Sequence, residues 1–277
     1  MNPMQGPTIA SRCRLILLRK PLIMFGLPAV VYTVCHVGGL LIGLKPPVAP
    51  VMDGVFTVTP GDGGPLPWLV WLIFIGVATT AIIGLQTLAS ARALADAPLL
   101  PKDDLPSTWR AASTFLLLGL FFSIPLLMIL SAPAYWLMIT TTFSGSPTED
   151  IRPMGLLLLM PLTAIGLIAT PLIGARSVLA TTVAVFERTG PRESLKRSSL
   201  LSRFVKPYPP LFTLGGAMVV TGAIMIGIAT LIPVAFAWKF AIGMTLFLAV
   251  FEPLHVALVA VLFADARDKE ARAFGPS

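Results

Sequence analysis

Six runs of apolar residues dominate the chain, at 22–44, 68–95, 113–139, 154–186, 210–237 and 240–264. Each meets the roughly 20 residues that a helix needs to cross a hydrocarbon layer about 30 Å thick. The pattern predicts an all-α, polytopic membrane protein with six transmembrane helices. Only Trp238 and Lys239 part the fifth and sixth runs. That pair forms a tight helical hairpin or, alternatively, one re-entrant unit. Composition agrees: 56% of the residues are apolar and 12% charged, against about 25% charged in a soluble domain. Mean hydropathy is +0.87. These values exclude a disordered chain, a collagen-like chain and an ordinary water-soluble enzyme.

The first run follows Arg12, Arg14, Arg19 and Lys20. A basic stretch before apolar residues also begins a secretory signal. The run 22–44, however, exceeds the about 7–15 residues of a signal's apolar region, and no small-x-small cleavage site precedes Lys45. It reads as an uncleaved first helix.

Charge placement sets the orientation. The net charge is +7. With the N-terminus inside, only Lys45, Arg152 and Lys239 of the 20 Lys and Arg residues fall outside. Basic residues collect on the cytoplasmic side, so both termini are expected there, in the inner membrane of a bacterial-type cell. Trp68, Trp71, Trp136 and Trp238 then lie at the outer interface, and Trp109 and Tyr208 at the inner one, where such rings favour the headgroup level. The organisation is a basic cytoplasmic segment (1–21), a transmembrane domain (22–264) and a cytoplasmic tail (265–277).

The outer loop 45–67 is rich in Pro and Gly, and 55–59 alternates briefly as a small strand would. The loop at 144–153 carries Glu149 and Asp150. Both are expected to form irregular caps. Inside, 96–112 links the second and third helices with Asp96, Lys102, Asp103 and Asp104. The segment 187–209 begins a helix at Gly190-Pro191, with Glu193 facing the free amides of the first turn. Leu195, Leu201 and Phe204 give it an apolar side, and Pro207, Pro209 and Pro210 stop it. Arg192, Lys196, Arg197 and Arg203 are its candidate lipid-headgroup ligands, each contributing roughly 1 kcal/mol beside anionic lipid. The alternative is a solvated linker whose charges only enforce topology. Gly39-x-x-x-Gly43 and Ala223-x-x-x-Gly227 allow close helix approach.

Ionisable residues inside apolar helices are costly and mark candidate sites. Glu252 and Arg176 lie at similar depths, roughly 18 and 16 Å from the inner ends of their helices at 1.5 Å per residue. They are expected to be buried and to pair across helices 4 and 6. His255 follows Glu252 by one turn, and His36 lies in the first helix at a comparable depth. These groups hold structure, line a proton or transport path, or bind a metal. No HExxH motif, phosphate loop or G-x-S-x-G elbow is present, and Cys13 and Cys35 are not spaced as metal ligands. Hence no catalytic residue, metal site or cofactor is expected. Thr79, Thr80, Gln86, Thr87, Thr140, Thr141 and Thr142 are expected to bond to backbone or neighbouring helices. The basic segments are interrupted by apolar and acidic residues, which argues against nucleic acid as a partner.

After the fourth run the chain reads Glu187-Arg188-Thr189-Gly190-Pro191-Arg192-Glu193-Ser194-Leu195-Lys196-Arg197-Ser198, and the tail reads Leu262-Phe263-Ala264-Asp265-Ala266-Arg267. These stretches, with Arg176 ahead of the turn, resemble a broad family of prokaryotic integral membrane proteins. That family includes the membrane domain fused to glycerophosphodiester phosphodiesterases. The resemblance spans helices 4–6 and implies a helical membrane domain that acts on or organises something else. No phosphodiesterase activity is carried over. The expected function is a non-enzymatic membrane scaffold or accessory protein. Its basic cytoplasmic face would contact anionic lipid or a protein partner. The alternative is a small transporter or permease subunit using Glu252, Arg176 and His255.

Overall fold

A computed structural model of the chain describes residues 8–41, 48–50, 56–58, 65–97, 101–142, 151–205 and 236–275. Five described stretches are long and apolar enough to cross a membrane: Leu22–Leu41, Ile73–Leu94, Asp104–Ile129, Leu159–Phe186 and Ala241–Phe274. They match the first four expected helices and the sixth. The expected fifth, 210–237, lies outside the described residues except for its last two. The described part is all-α apart from β1 (Val48–Pro50) and β2 (Phe56–Val58), an antiparallel pair in which Val48 faces Val58. The strand expected at 55–59 is β2.

The N-terminal segment is itself a helix, α1 (Ile9–Arg19). Thr8 caps it, its hydroxyl accepting from the Ser11 amide at 3.3 Å. Ile16 is fully buried, packing with Ala89, Ala257 and Val261, while Leu15 and Leu18 remain exposed. A π-helical turn, Leu22–Gly26, joins it to α2 (Leu27–Leu41). Pro28 explains one local feature. It has no N–H for the Met24 carbonyl four residues back, and the Gln86 side-chain amide donates to that carbonyl instead, at 3.0 Å. Pro28→Ala restores the helical donor. Combined with Gln86→Leu, it should cost about 1 kcal/mol less than the two single changes summed. A double-mutant cycle of thermal unfolding in detergent checks this.

Next come α3 (Pro65–Leu94), α4 (Pro101–Thr142) and α5 (Ile151–Ser177). Most of the expected 96–112 linker is the first turns of α4. The fourth crossing is broken after Ser177 and resumes as α6 (Ala180–Phe186). Ser198 marks the break: its hydroxyl donates to the Arg176 carbonyl at 2.8 Å and accepts from the Leu179 amide at 3.2 Å. A side chain set into the backbone ladder in this way interrupts a helix. Ser198 belongs to α7 (Pro191–Leu201), which starts at Gly190-Pro191 as expected.

The last helix, α8 (Phe236–Phe274), is central. It packs against α1, α2, α3, α6 and α7. Its most apolar stretch is 67% buried, against 17% for that of the fourth crossing. The core gathers towards one end of the bundle, where Leu179, Val183, Leu201, Leu258, Leu262 and Phe263 meet. Helices α3 and α4 touch at Gly84, where a Cβ would sit 2.9 Å from the Thr108 carbonyl oxygen. The first and last described helices meet at the same end of the bundle, through Ile16 against Ala257, Ala260 and Val261.

Candidate functional site

Two groupings of polar side chains stand out, one between helices and one at the charged end. The first is built by α2, α3 and α8. Tyr32 and His36 are one helical turn apart on α2. Glu252 and Thr245 are seven residues, about two turns, apart on α8. The Tyr32 hydroxyl donates to Glu252 Oε2, and Thr79 Oγ1 of α3 lies 3.2 Å from the same hydroxyl. A phenol has one hydrogen, so with that hydrogen on Glu252 it accepts from Thr79. The Tyr32 carbonyl takes His36 Nδ1 at 2.9 Å and the Thr245 hydroxyl at 3.3 Å. Trp71 closes the opposite side: its ring meets His36 edge-on at 5.8 Å, and its indole N–H donates to the Cys35 carbonyl at 2.9 Å. Gly39 makes room for that indole, since a Cβ there would come within 2.5 Å of Nε1. Gly43, its partner in the sequence motif, lies outside the described residues.

Glu252 is only 9% exposed. Its Oε1 is buried and, among the described residues, has no hydrogen-bond partner. The expected partner, Arg176, is exposed, and among the described residues no ion pair joins the two. This corrects the expected pairing and the expected burial of Arg176. Matched depth was the argument for the pair, and depth says nothing about which way a helix face turns. Helix α5 packs on α4 and α7, and it is α6 that reaches α8. His36 is buried and His255 exposed, so two of the four candidates are buried.

Sequence reasoning missed Tyr32, Thr245 and the role of Thr79. Tyr32 carried a signal, being a phenol in the interior of an apolar run rather than at its edge. The intramembrane hydroxyls behave as expected where they are described. Thr80 donates to the Gly76 carbonyl at 2.6 Å and Thr87 to the Ile83 carbonyl at 2.7 Å. The side chains of Thr140, Thr141 and Thr142 lie outside the described residues. Among the described residues, no group of three or more His, Cys, Asp or Glu side chains is placed to hold a metal.

The second grouping is ionic. Arg197 of α7 makes two parallel hydrogen bonds to Glu270 of α8, at 2.6 and 2.5 Å, and its Nε reaches Glu187 Oε2 at 3.1 Å. The hydrogen bonds to Glu270 and then Glu187 hold its guanidinium pKa above the ordinary arginine value, against the opposing effect of burial. Arg267 approaches Glu187 at 3.9 Å. Two further ion pairs join Arg19 to Asp96 at 2.9 Å and Arg92 to Asp104. Burial pushes the Cys13 thiol pKa up. Arg197, expected to face lipid headgroups, is therefore an internal clasp, because two carboxylates already neutralise it. Arg192, Lys196 and Arg203 are exposed, as a headgroup contact requires.

No protein-family model, curated protein or solved structure matches the chain.

Proposed function

We propose that the chain is an integral membrane scaffold or accessory protein rather than an enzyme, presenting a rigid basic face to anionic lipid. The observation that carries this reading is the Arg197 clasp. It fixes α7 against the end of α8 and leaves Arg192, Lys196 and Arg203 pointing away from the protein. A platform held in this way spends little conformational freedom when it meets a charged surface. A cleft of about 270 Å3 lined by Arg19, Lys20, Arg92 and Asp96 opens at the same end.

In this reading the charged end faces the cytoplasm of a bacterial-type cell, by the bias of basic residues, and both termini lie there. The packing of α1 against α8 supports a common side for them. Five crossings are described, and a return to the starting side needs an even number. The expected fifth run, 210–237, which would bring the number to six, lies outside the described residues apart from its last two. The motif resemblance to membrane domains fused to phosphodiesterases fits a protein that organises rather than reacts.

The test is the lipid that stays with the full-length protein through detergent purification. Anionic phospholipid should be enriched over its share of the membrane. Replacing Arg192, Lys196 and Arg203 together by Gln should remove that enrichment without changing thermal unfolding. Equal enrichment in the triple variant would refute the assignment.

A further inference from the structure

Glu252 takes no part in the basic face, and its surroundings suit a different task. In a low-dielectric interior a carboxylate needs a counter-cation or several hydrogen bonds. Among the described residues Glu252 has one hydrogen bond, from Tyr32 to Oε2, and a buried Oε1 without a partner. Among the described residues it has no ion pair. From α2, the titratable groups on this side are Tyr32 itself and, on the next turn, Cys35 and His36. Helix α3 contributes the Thr79 hydroxyl, which carries no charge. On α8, His255 is one turn away and exposed. The next residue, Pro253, has no N–H for the Ala249 carbonyl, so the helix is locally short of one internal bond.

We propose that Glu252 is an exchangeable proton-binding site within the membrane, reached through the hydroxyls of Thr79 and Tyr32. The ligand is a single proton supplied by water. Thr79 is half-buried and forms the outer end of the chain Thr79–Tyr32–Glu252. A proton arriving at Thr79 Oγ1 displaces the hydrogen that hydroxyl held onto the Tyr32 oxygen. Tyr32 in turn releases its own hydrogen to Glu252 Oε2. Three O–H bonds break, in the hydronium that delivers the proton, in Thr79 and in Tyr32, and three form, so the net change is one proton passed from hydronium to the carboxyl with water left behind. Rotation of the two hydroxyls resets the path. The buried Oε1 gives the neutral acid a second oxygen on which to carry the proton.

The experiment uses the full-length protein in sealed proteoliposomes and dicyclohexylcarbodiimide, a lipid-soluble reagent that adds to the neutral carboxyl and not to the carboxylate. The acid proton moves to a reagent nitrogen while the carboxyl oxygen bonds to the central carbon. Rearrangement to the N-acylurea leaves the whole reagent on Glu252, which peptide mass mapping detects. Labelling of Glu252 should fall as pH rises and recover when the pH is returned before the reagent is added. Tyr32→Phe removes the Tyr32–Glu252 hydrogen bond and should displace the half-labelling pH by about one unit or more. Absence of label at Glu252 at every pH, or a yield that does not change with pH, would overturn the proposal. Both outcomes are read on the wild-type chain, so neither depends on a variant folding.

Discussion

Arg197→Ala should lower the stability of the detergent-solubilised protein by about 3 kcal/mol, measured as a loss in the thermal unfolding transition. The figure follows from what the substitution leaves behind. Glu187 and Glu270 both face Arg197, and the three side chains are only 17–27% exposed. Removing one partner of a buried ion pair costs about 3–5 kcal/mol, because the other charge stays desolvated. Partial exposure places this case at the lower end. Here Glu270 loses its partner beside Glu187, which keeps only the longer 3.9 Å contact with Arg267, and the repulsion between the two carboxylates adds to the loss. Arg197→Lys should fall between, since an ammonium keeps the charge but not the two-pronged contact with Glu270. Replacing Glu187 and Glu270 by Gln in the Ala background should recover part of the loss. If Arg197→Ala unfolds like the wild type, the clasp does not hold α7 in place, and the rigid basic platform falls with it.

Hydrophobic periodicity made the membrane class and most of the crossings legible in advance, because a helix in lipid must be apolar over its full length. The start of α7 was also readable, since Gly190-Pro191 is a local signal. Four features were not. Helix α1 is short and basic, so its pattern looked like a flanking segment; only Thr8 and Ser11 announced a helix start. The break between α5 and α6 depends on Ser198, which lies some twenty residues downstream and enters the ladder through tertiary contact. The Glu252 partner was misjudged because spacing along a helix gives depth but not the rotation of one helix against another. The Tyr32 phenol was nearer in space than any arginine. Arg197 was grouped with Arg192, Lys196 and Arg203 by charge, yet it faces α8 and they do not. In the last three of these cases the deciding contact was long-range.

The contact between α4 and α5 supplies the second large effect, through one missing methyl group. A Cβ on Gly166 would lie 2.7 Å from the Pro125 carbonyl oxygen, 2.9 Å from Ile129 Cγ1 and 3.0 Å from the Ile129 amide nitrogen. Two of those three atoms are backbone, so no rotamer change relieves the clash and the helices must part. The most apolar window of the fourth crossing is only 17% buried, with Thr163 donating to the Met128 carbonyl at 3.3 Å nearby. Gly166→Ala should therefore destabilise by about 1–3 kcal/mol, the usual cost of overpacking, and Gly166→Leu by more. Gly76 is the matched control, because nothing lies within 4 Å of a Cβ built there. There the better helix propensity of alanine acts unopposed, and Gly76→Ala should stabilise by up to about 1 kcal/mol. Opposite signs at two helical glycines, measured in the same detergent unfolding assay, separate close packing from propensity. A Gly166→Ala variant as stable as Gly76→Ala would mean that α4 and α5 do not meet at this point.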